Sequence, residues 1–138
     1  MADPNTVEEW MTLVAQHERA ARVMAADKIA AAQGHWHAGI AVECALKAYI
    51  MKHERLNGWP SKEARPELYS HNLRALSITA GIRPTSKDPE VTSWYVVLQW
   101  DRNQGYDPKP MPRRFAQAMV DAAFGEKGAV TWIRSNLI

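Results

Sequence analysis

The sequence predicts an all-α fold, an up-and-down bundle of four main helices with one or two short helices. Two observations predict it: apolar residues recur at three- and four-residue spacing along most of the chain, and no segment offers a partner strand for a β-sheet. The chain has 138 residues, of which 46% are hydrophobic, which suits a single core better than two. We therefore expect one domain over residues 1–138.

Helix signals predict the first two elements. The first helix begins at a capping box formed by Thr6 and Glu9, and Gly34 limits its far end. The second helix is expected from His35 to Asn57, with Gly58 as its left-handed stop. Its apolar band is wide, which is typical of a helix that packs on several neighbours.

Shorter elements are expected in the second half of the chain. They begin with a loop over residues 59–69, a short helix capped by Ser70 and ended by Gly81, and a helix from Ser86 or Asp88 to about Trp100 or Asp101. They continue with an extended proline-rich segment over residues 102–112, a helix over Arg113–Phe124, and a last helical segment carrying Val130, Ile133 and Leu137.

Composition excludes several classes of protein. The formal net charge is +2, which does not indicate a nucleic-acid or membrane-surface protein by bulk charge. One cysteine excludes an internal disulfide and a multi-cysteine zinc site. No secretory signal or membrane span is visible, so we expect a soluble cytoplasmic protein with no membrane partner. We expect no cofactor and no metal, since His35 and His37 would point to different sides of a helix.

Most polar residues have a structural interpretation. Glu43 and Lys47 have the i, i+4 spacing of an ion pair, and we expect this pair at a seam between helices. His71 is assigned a structural polar role with them. Cys44, surrounded by apolar residues, is expected to be a buried small hydrophobe, and His17 is expected to be a hydrogen-bonded core histidine.

The segment from residue 102 to 114 has a different character. It combines a local charge of +3 with amide and phenol groups, a set that suits phosphate contact and base stacking in single-stranded RNA. The residues are Arg102, Lys109, Arg113 and Arg114 against Asp107, with Asn103, Gln104 and Tyr106 among them. The alternative is a solvated loop held by its prolines, in which Arg102 pairs with Asp101 or Asp107.

Two motifs resemble the HEPN family of helical-bundle proteins. Residues 41–48 read AVECALKA, and residues 71–76 read HNLRAL, in the order that the family has for its second helix and the short element after it. Arg102, Tyr106 and Pro108 match a later arginine, aromatic and proline, and residues 130–133, VTWI, match an apolar closing helix. The resemblance covers most of the chain.

The resemblance implies a homodimer that works in RNA cleavage, in toxin–antitoxin and defence systems, or beside a nucleotidyltransferase partner. Ribonuclease members carry an arginine followed, after four to six residues, by a histidine. This chain has no histidine after Arg102, and the similar spacing of Arg65 and His71 falls in another element. The six tryptophans are a hint of an interface, with core packing as the competing explanation.

The sequence therefore predicts a HEPN-like module that binds RNA, a nucleotide or an acidic partner through Lys109, Arg113 and Arg114. The alternative is a divergent metal-independent endoribonuclease, in which Arg102 and Asn103 hold the phosphate and Tyr106 handles the proton. A third interpretation is a structural or regulatory subunit without nucleic-acid contact.

Overall fold

The computed structural model describes residues 3–138, and these residues form an all-α bundle without a β-strand, which confirms the predicted fold class. The six α-helices are α1 (Val7–Ala25), α2 (Ala31–Glu54), α3 (Leu73–Ala80), α4 (Val91–Val97), α5 (Arg113–Phe124) and α6 (Ala129–Ser135). Two 3₁₀ helices, Pro66–Tyr69 and Arg102–Tyr106, lie in the connections. None of the described helices has both the length and the hydrophobicity that a membrane span requires.

Helix α2 lies at the centre of the bundle. It packs against α1, α3, α5, α6 and the second 3₁₀ helix, and every residue from 41 to 48 is buried. This burial explains the wide apolar band in its sequence, because a helix enclosed on several sides needs small or apolar residues around most of its surface. Cys44 is buried there, as predicted.

The predicted junction between the first two helices is wrong. Helix α1 ends at Ala25 and α2 already begins at Ala31. The carboxylate of Asp27 accepts hydrogen bonds from the backbone N–H groups of Ile29 and Ala30, at 2.8 and 2.9 Å, and this local turn ends the first helix. Gly34, expected to limit α1, lies inside α2 instead, where a Cβ atom would overlap the backbone of Ala25.

Other predicted boundaries also need correction. Helix α2 ends at Glu54, and Arg55, with φ of 56°, takes the left-handed position that was predicted for Gly58. The N-cap of α3 is Asn72, whose side chain accepts from the Ala75 N–H at 3.0 Å, and not Ser70. Gly81 ends α3 in the left-handed conformation as predicted.

Helix α4 differs from the prediction at both ends, and it stops at Val97 and not near Trp100 or Asp101. Helix α4 begins at Val91 after Glu90, later than the predicted start at Ser86 or Asp88. Residues 102–106, predicted to be extended, form a 3₁₀ helix. Helix α5 has the predicted bounds, Arg113–Phe124.

The six tryptophans all belong to the core or its edge. Three are buried and three are partly buried against the core, namely Trp10, Trp94 and Trp100, and Trp36, Trp59 and Trp132. Core packing therefore accounts for the three buried rings, and an interface at the other three stays a prediction.

Candidate functional site

A cleft of about 440 Å³ lies between the start of α3 and the second 3₁₀ helix. We call it the arginine cleft. It is lined by His71, Asn72 and Arg74 at the start of α3, and by Leu98, Gln99, Trp100, Asp101, Arg102 and Asn103 after α4. Two segments that are about 30 residues apart in the sequence therefore form one concave surface.

The Asp101–Asn103 side of the cleft is fixed locally by a capping box. The Asp101 carboxylate accepts from the Asn103 N–H at 2.9 Å, and the Gln104 side chain accepts from the Asp101 N–H at 3.5 Å. These bonds satisfy backbone donors at the start of the 3₁₀ helix, which is why the segment does not remain extended.

The 3₁₀ helix is also attached to α2. Trp36 Nε1 donates to the Arg102 carbonyl at 2.9 Å, and Gln33 Nε2 donates to the Gly105 carbonyl at 3.1 Å. Gly105 permits this contact, because a Cβ atom at that position would meet the Trp36 ring. The backbone that carries Arg102 is thus held by hydrogen bonds at both ends of the short helix.

Arg102 lines the cleft without an ionic partner among residues 3–138. The pairing with Asp101 or Asp107 that the sequence left open does not occur: Asp101 caps the 3₁₀ helix, and Asp107 accepts from the Lys109 backbone N–H at 3.0 Å. The Nε atom of Arg102 is buried and has no hydrogen-bond partner in the described chain. Because this atom is enclosed by protein, an anion in the cleft would have to bind the terminal nitrogens of the guanidinium, which have no ionic partner in the described residues.

His71 joins Arg102 in the cleft and is held from below by Glu43. Its Nδ1 atom lies 3.1 and 3.2 Å from the two Glu43 carboxylate oxygens. Glu43 also accepts from Lys47 Nζ at 3.1 Å, so the predicted ion pair is present and both of its members are buried. A carboxylate facing Nδ1 assigns the proton to that nitrogen, which leaves Nε2 as the acceptor of the neutral ring.

Sequence reasoning missed the association of His71 with Arg102. The HNLRAL motif predicts a structural polar role for His71 and no role for Arg74. The motif alone does not predict the cleft, because no pattern in the sequence indicates that the start of α3 lies beside the segment after α4. Arg65, the other arginine near His71, is held by Glu54 and Glu67 at 2.8 Å each and does not line the cleft.

The remaining predicted residues lie outside the cleft. Tyr106 is 74% exposed at the end of the 3₁₀ helix, and only Arg102 and Asn103 of its predicted group line the cleft. Lys109 lines a second groove, and the Arg114 guanidinium lies 5.1 Å from the Phe115 ring centre. Arg113 is exposed in the first turn of α5, so the basic residues are spread over more than one surface.

A metal site is absent from the part of the chain that the structure describes. No three histidine, cysteine, aspartate or glutamate side chains in residues 3–138 lie close enough together to hold an ion. The polar groups that line the arginine cleft are two guanidinium groups, an imidazole and amides against a single carboxylate, that of Asp101, and this balance suits an anion better than a cation.

No protein-family model, curated protein or solved structure matches this chain. The chemistry of the arginine cleft therefore carries the functional argument.

Proposed function

We propose that this protein is a HEPN-like RNA-binding module, and that the arginine cleft holds a phosphodiester group of single-stranded RNA. The observation that carries the proposal is the guanidinium of Arg102, which lines the cleft with no ionic partner in the described residues. Arg74 and Asn103 line the same cleft and supply further hydrogen-bond donors.

The charge balance of the cleft supports an anionic ligand. Two arginines, Arg74 and Arg102, face one acid, Asp101, whose carboxylate is already bonded to the Asn103 N–H. Arginine is well suited to phosphate because its planar group can donate two parallel hydrogen bonds. The negative charge of the Glu43 carboxylate beneath the cleft is balanced by the positive charge of the buried Lys47 ammonium.

A second candidate function is metal-independent RNA cleavage, and the pairing of His71 with Glu43 favours it. With Nδ1 bonded to the carboxylate, Nε2 of His71 is free to take the proton of a ribose 2′-hydroxyl. The 2′-oxygen would then attack phosphorus, the bond to the 5′-oxygen would break, and that oxygen would take a proton from water. Arg102 would stabilise the charge on the phosphoryl oxygens. His71 thus replaces Tyr106 as the proton acceptor in this hypothesis.

Binding of a labelled single-stranded RNA in EDTA tests the first proposal. We expect Arg102→Ala to weaken binding about tenfold or more, since a hydrogen bond to a charged group contributes roughly 1.5–3 kcal/mol. Affinity should also fall steeply with salt concentration. Arg19→Ala removes an equal charge from an exposed position of α1 and is the matched control. Equal affinity of the two variants would contradict the proposal.

The same assay separates the two candidates. RNA cleavage that persists in EDTA would establish the ribonuclease, provided that the His71→Gln variant no longer cleaves RNA but still binds it. Salt-sensitive binding without cleavage would support the binding module alone.

We also propose, from the family resemblance, that the protein is a cytoplasmic homodimer and that it works beside a nucleotidyltransferase or within a toxin–antitoxin system. The subunit mass is 15.6 kDa, and light scattering of the purified chain should give twice that value. A mass equal to one subunit at micromolar concentration would contradict the dimer.

A further inference from the structure

A second groove, of about 500 Å³, adjoins the arginine cleft. Gln99, which follows α4, lines both. We call it the aromatic groove and define it by Tyr95 and Val96 of α4, the segment 109–112, and Phe115 of α5. Its volume falls within the range of roughly 300–1,000 Å³ that is usual for small-ligand sites.

The aromatic groove leaves large apolar side chains in water. Tyr95 is 71% exposed, Phe115 is 54% exposed and Val96 is 37% exposed. The residues on either side of Tyr95 and Val96 in α4, Trp94 and Val97, occupy the core. Exposed aromatic rings grouped around a concave surface are characteristic of a binding site.

The walls and rim of the groove add rigidity and charge. Pro110 and Pro112 fix the backbone of one wall, and the Asp107 carboxylate holds the Lys109 N–H beside it. Lys109 lines the groove, and the Arg114 guanidinium lies over the Phe115 ring. An aromatic surface with cations beside it is complementary to a base attached to a phosphate.

We infer that the aromatic groove is a nucleobase subsite, which stacks a base of the nucleotide that adjoins the phosphate in the arginine cleft. This inference rests on the proposed function, and the ligand of the aromatic groove is then part of a single-stranded nucleic acid. Continuity through Gln99 and the cations beside the aromatic rings favour this occupant over an apolar protein surface. Because any base can stack on an aromatic ring, we expect little dependence on base sequence.

A comparison of two oligonucleotides tests the inference. One is a labelled single-stranded RNA, and the other is an abasic oligonucleotide with the same backbone and length. We expect the wild-type chain to bind the base-bearing RNA about tenfold or more tightly than the abasic one, because stacking contributes substantially at each base. Phe115→Ala and Tyr95→Ala should lose this preference without losing affinity for the abasic backbone. Val23→Ala removes a similarly exposed apolar side chain from α1 and is the control.

The failures of the two proposals are distinguishable. If Arg102→Ala weakens binding of both oligonucleotides but Phe115→Ala and Tyr95→Ala change neither, the cleft binds phosphate and the nucleobase subsite is wrong. If Arg102→Ala changes neither, both proposals fall. If Phe115→Ala halves the mass measured by light scattering, the groove is an interface between copies of the chain, and the inference is overturned. Circular dichroism should show unchanged helix content in each variant, since all three side chains are partly or largely exposed.

Discussion

Glu43 takes part in two interactions at once, because its carboxylate accepts from Lys47 and also faces Nδ1 of His71. Glu43 and Lys47 are 6% and 5% exposed, so neither charge can be compensated by water. A buried ion pair adds little stability over an apolar pair of the same shape, but removal of one partner leaves an uncompensated charge.

We therefore expect Glu43→Ala to lower the free energy of unfolding by about 3–5 kcal/mol, measured by urea denaturation at neutral pH. The double variant Glu43→Leu, Lys47→Met should recover most of that loss, because no buried charge remains. Glu67→Ala is the control, since it breaks an exposed pair with Arg65 and should change stability far less. A double variant as unstable as the single one would show that the packing of Glu43 or its contact with His71, and not the unpaired lysine, is responsible.

The two contacts of Glu43 also show which contacts of a residue can be predicted from the sequence. Its pairing with Lys47 could be predicted, because four residues on a helix form one turn and the spacing alone brings the groups together. Its contact with His71 could not, since His71 lies 28 positions further along the chain, beyond a loop. The candidate site depends on this second kind of contact, which explains why His71 was assigned only a structural role.

Between elements, the seam of α1 and α2 contains a histidine pair that links the two longest helices. The Nδ1 atoms of His17 and His37 lie 2.9 Å apart, so one ring must donate a proton to the other. Burial lowers the pKa of both histidines below the ordinary value of 6.5; the neighbouring His37 lowers that of His17 further, while Glu43 acts in the opposite direction. Protonation of both rings would place two N–H groups against each other.

This pair predicts that the fold loses stability in acid. The unfolded chain takes up protons near pH 6.5 that the folded chain binds only at lower pH, so stability is complete above that value and falls as the pH is lowered. We expect the melting temperature to drop between pH 7.5 and pH 5.5, and to drop less in the double variant His17→Gln, His37→Gln. The melting temperature of the double variant should still depend on pH to some extent, because burial lowers the pKa of His35 as well.

His53→Gln, at an exposed histidine near the end of α2, is the control for this measurement. It should follow the wild-type pH profile. If the double variant also follows the wild-type profile, the acid sensitivity arises elsewhere in the chain.

The role of glycine explains why the predicted boundary between the first two helices was wrong. Gly34 was interpreted as a helix end, but it is the position where α2 approaches the backbone of Ala25. Gly39 has a similar role, because a Cβ atom there would overlap the ring of Trp100, the residue before the Asp101 cap. A glycine that ends a helix and a glycine that admits a neighbour look the same in a sequence.

For the whole molecule, the sequence predicts the architecture more fully than the site. Helical periodicity is local, so it gives the all-α class and the exact helix Arg113–Phe124 without knowledge of the packing. The arginine cleft and the aromatic groove are formed where separate segments meet, at residues 32–35, 71–74, 95–104 and 107–119. Their residues were visible as motifs or apolar positions, but their association requires the tertiary structure.

The integrity of the whole bundle can be followed through Cys44, which lies in the central part of α2 and is 5% exposed. Burial raises the pKa of its thiol to about 12, with a smaller contribution from Glu43. Since the thiolate is the reactive form, few native molecules should react with a thiol reagent at pH 8. We expect slow labelling of the native chain by a disulfide reagent and rapid labelling in concentrated urea.

At intermediate urea concentrations the labelling rate should follow the population of unfolded molecules, because α2 packs against four other α-helices and the second 3₁₀ helix. Glu43→Ala should be labelled faster than the wild-type chain in the absence of urea, by a factor that matches its loss of unfolding free energy. Glu67→Ala should be labelled at nearly the wild-type rate. Rapid labelling of the native wild-type chain would mean that α2 is exposed by a local opening, and the buried pair of Glu43 and Lys47 would then open to solvent by the same motion.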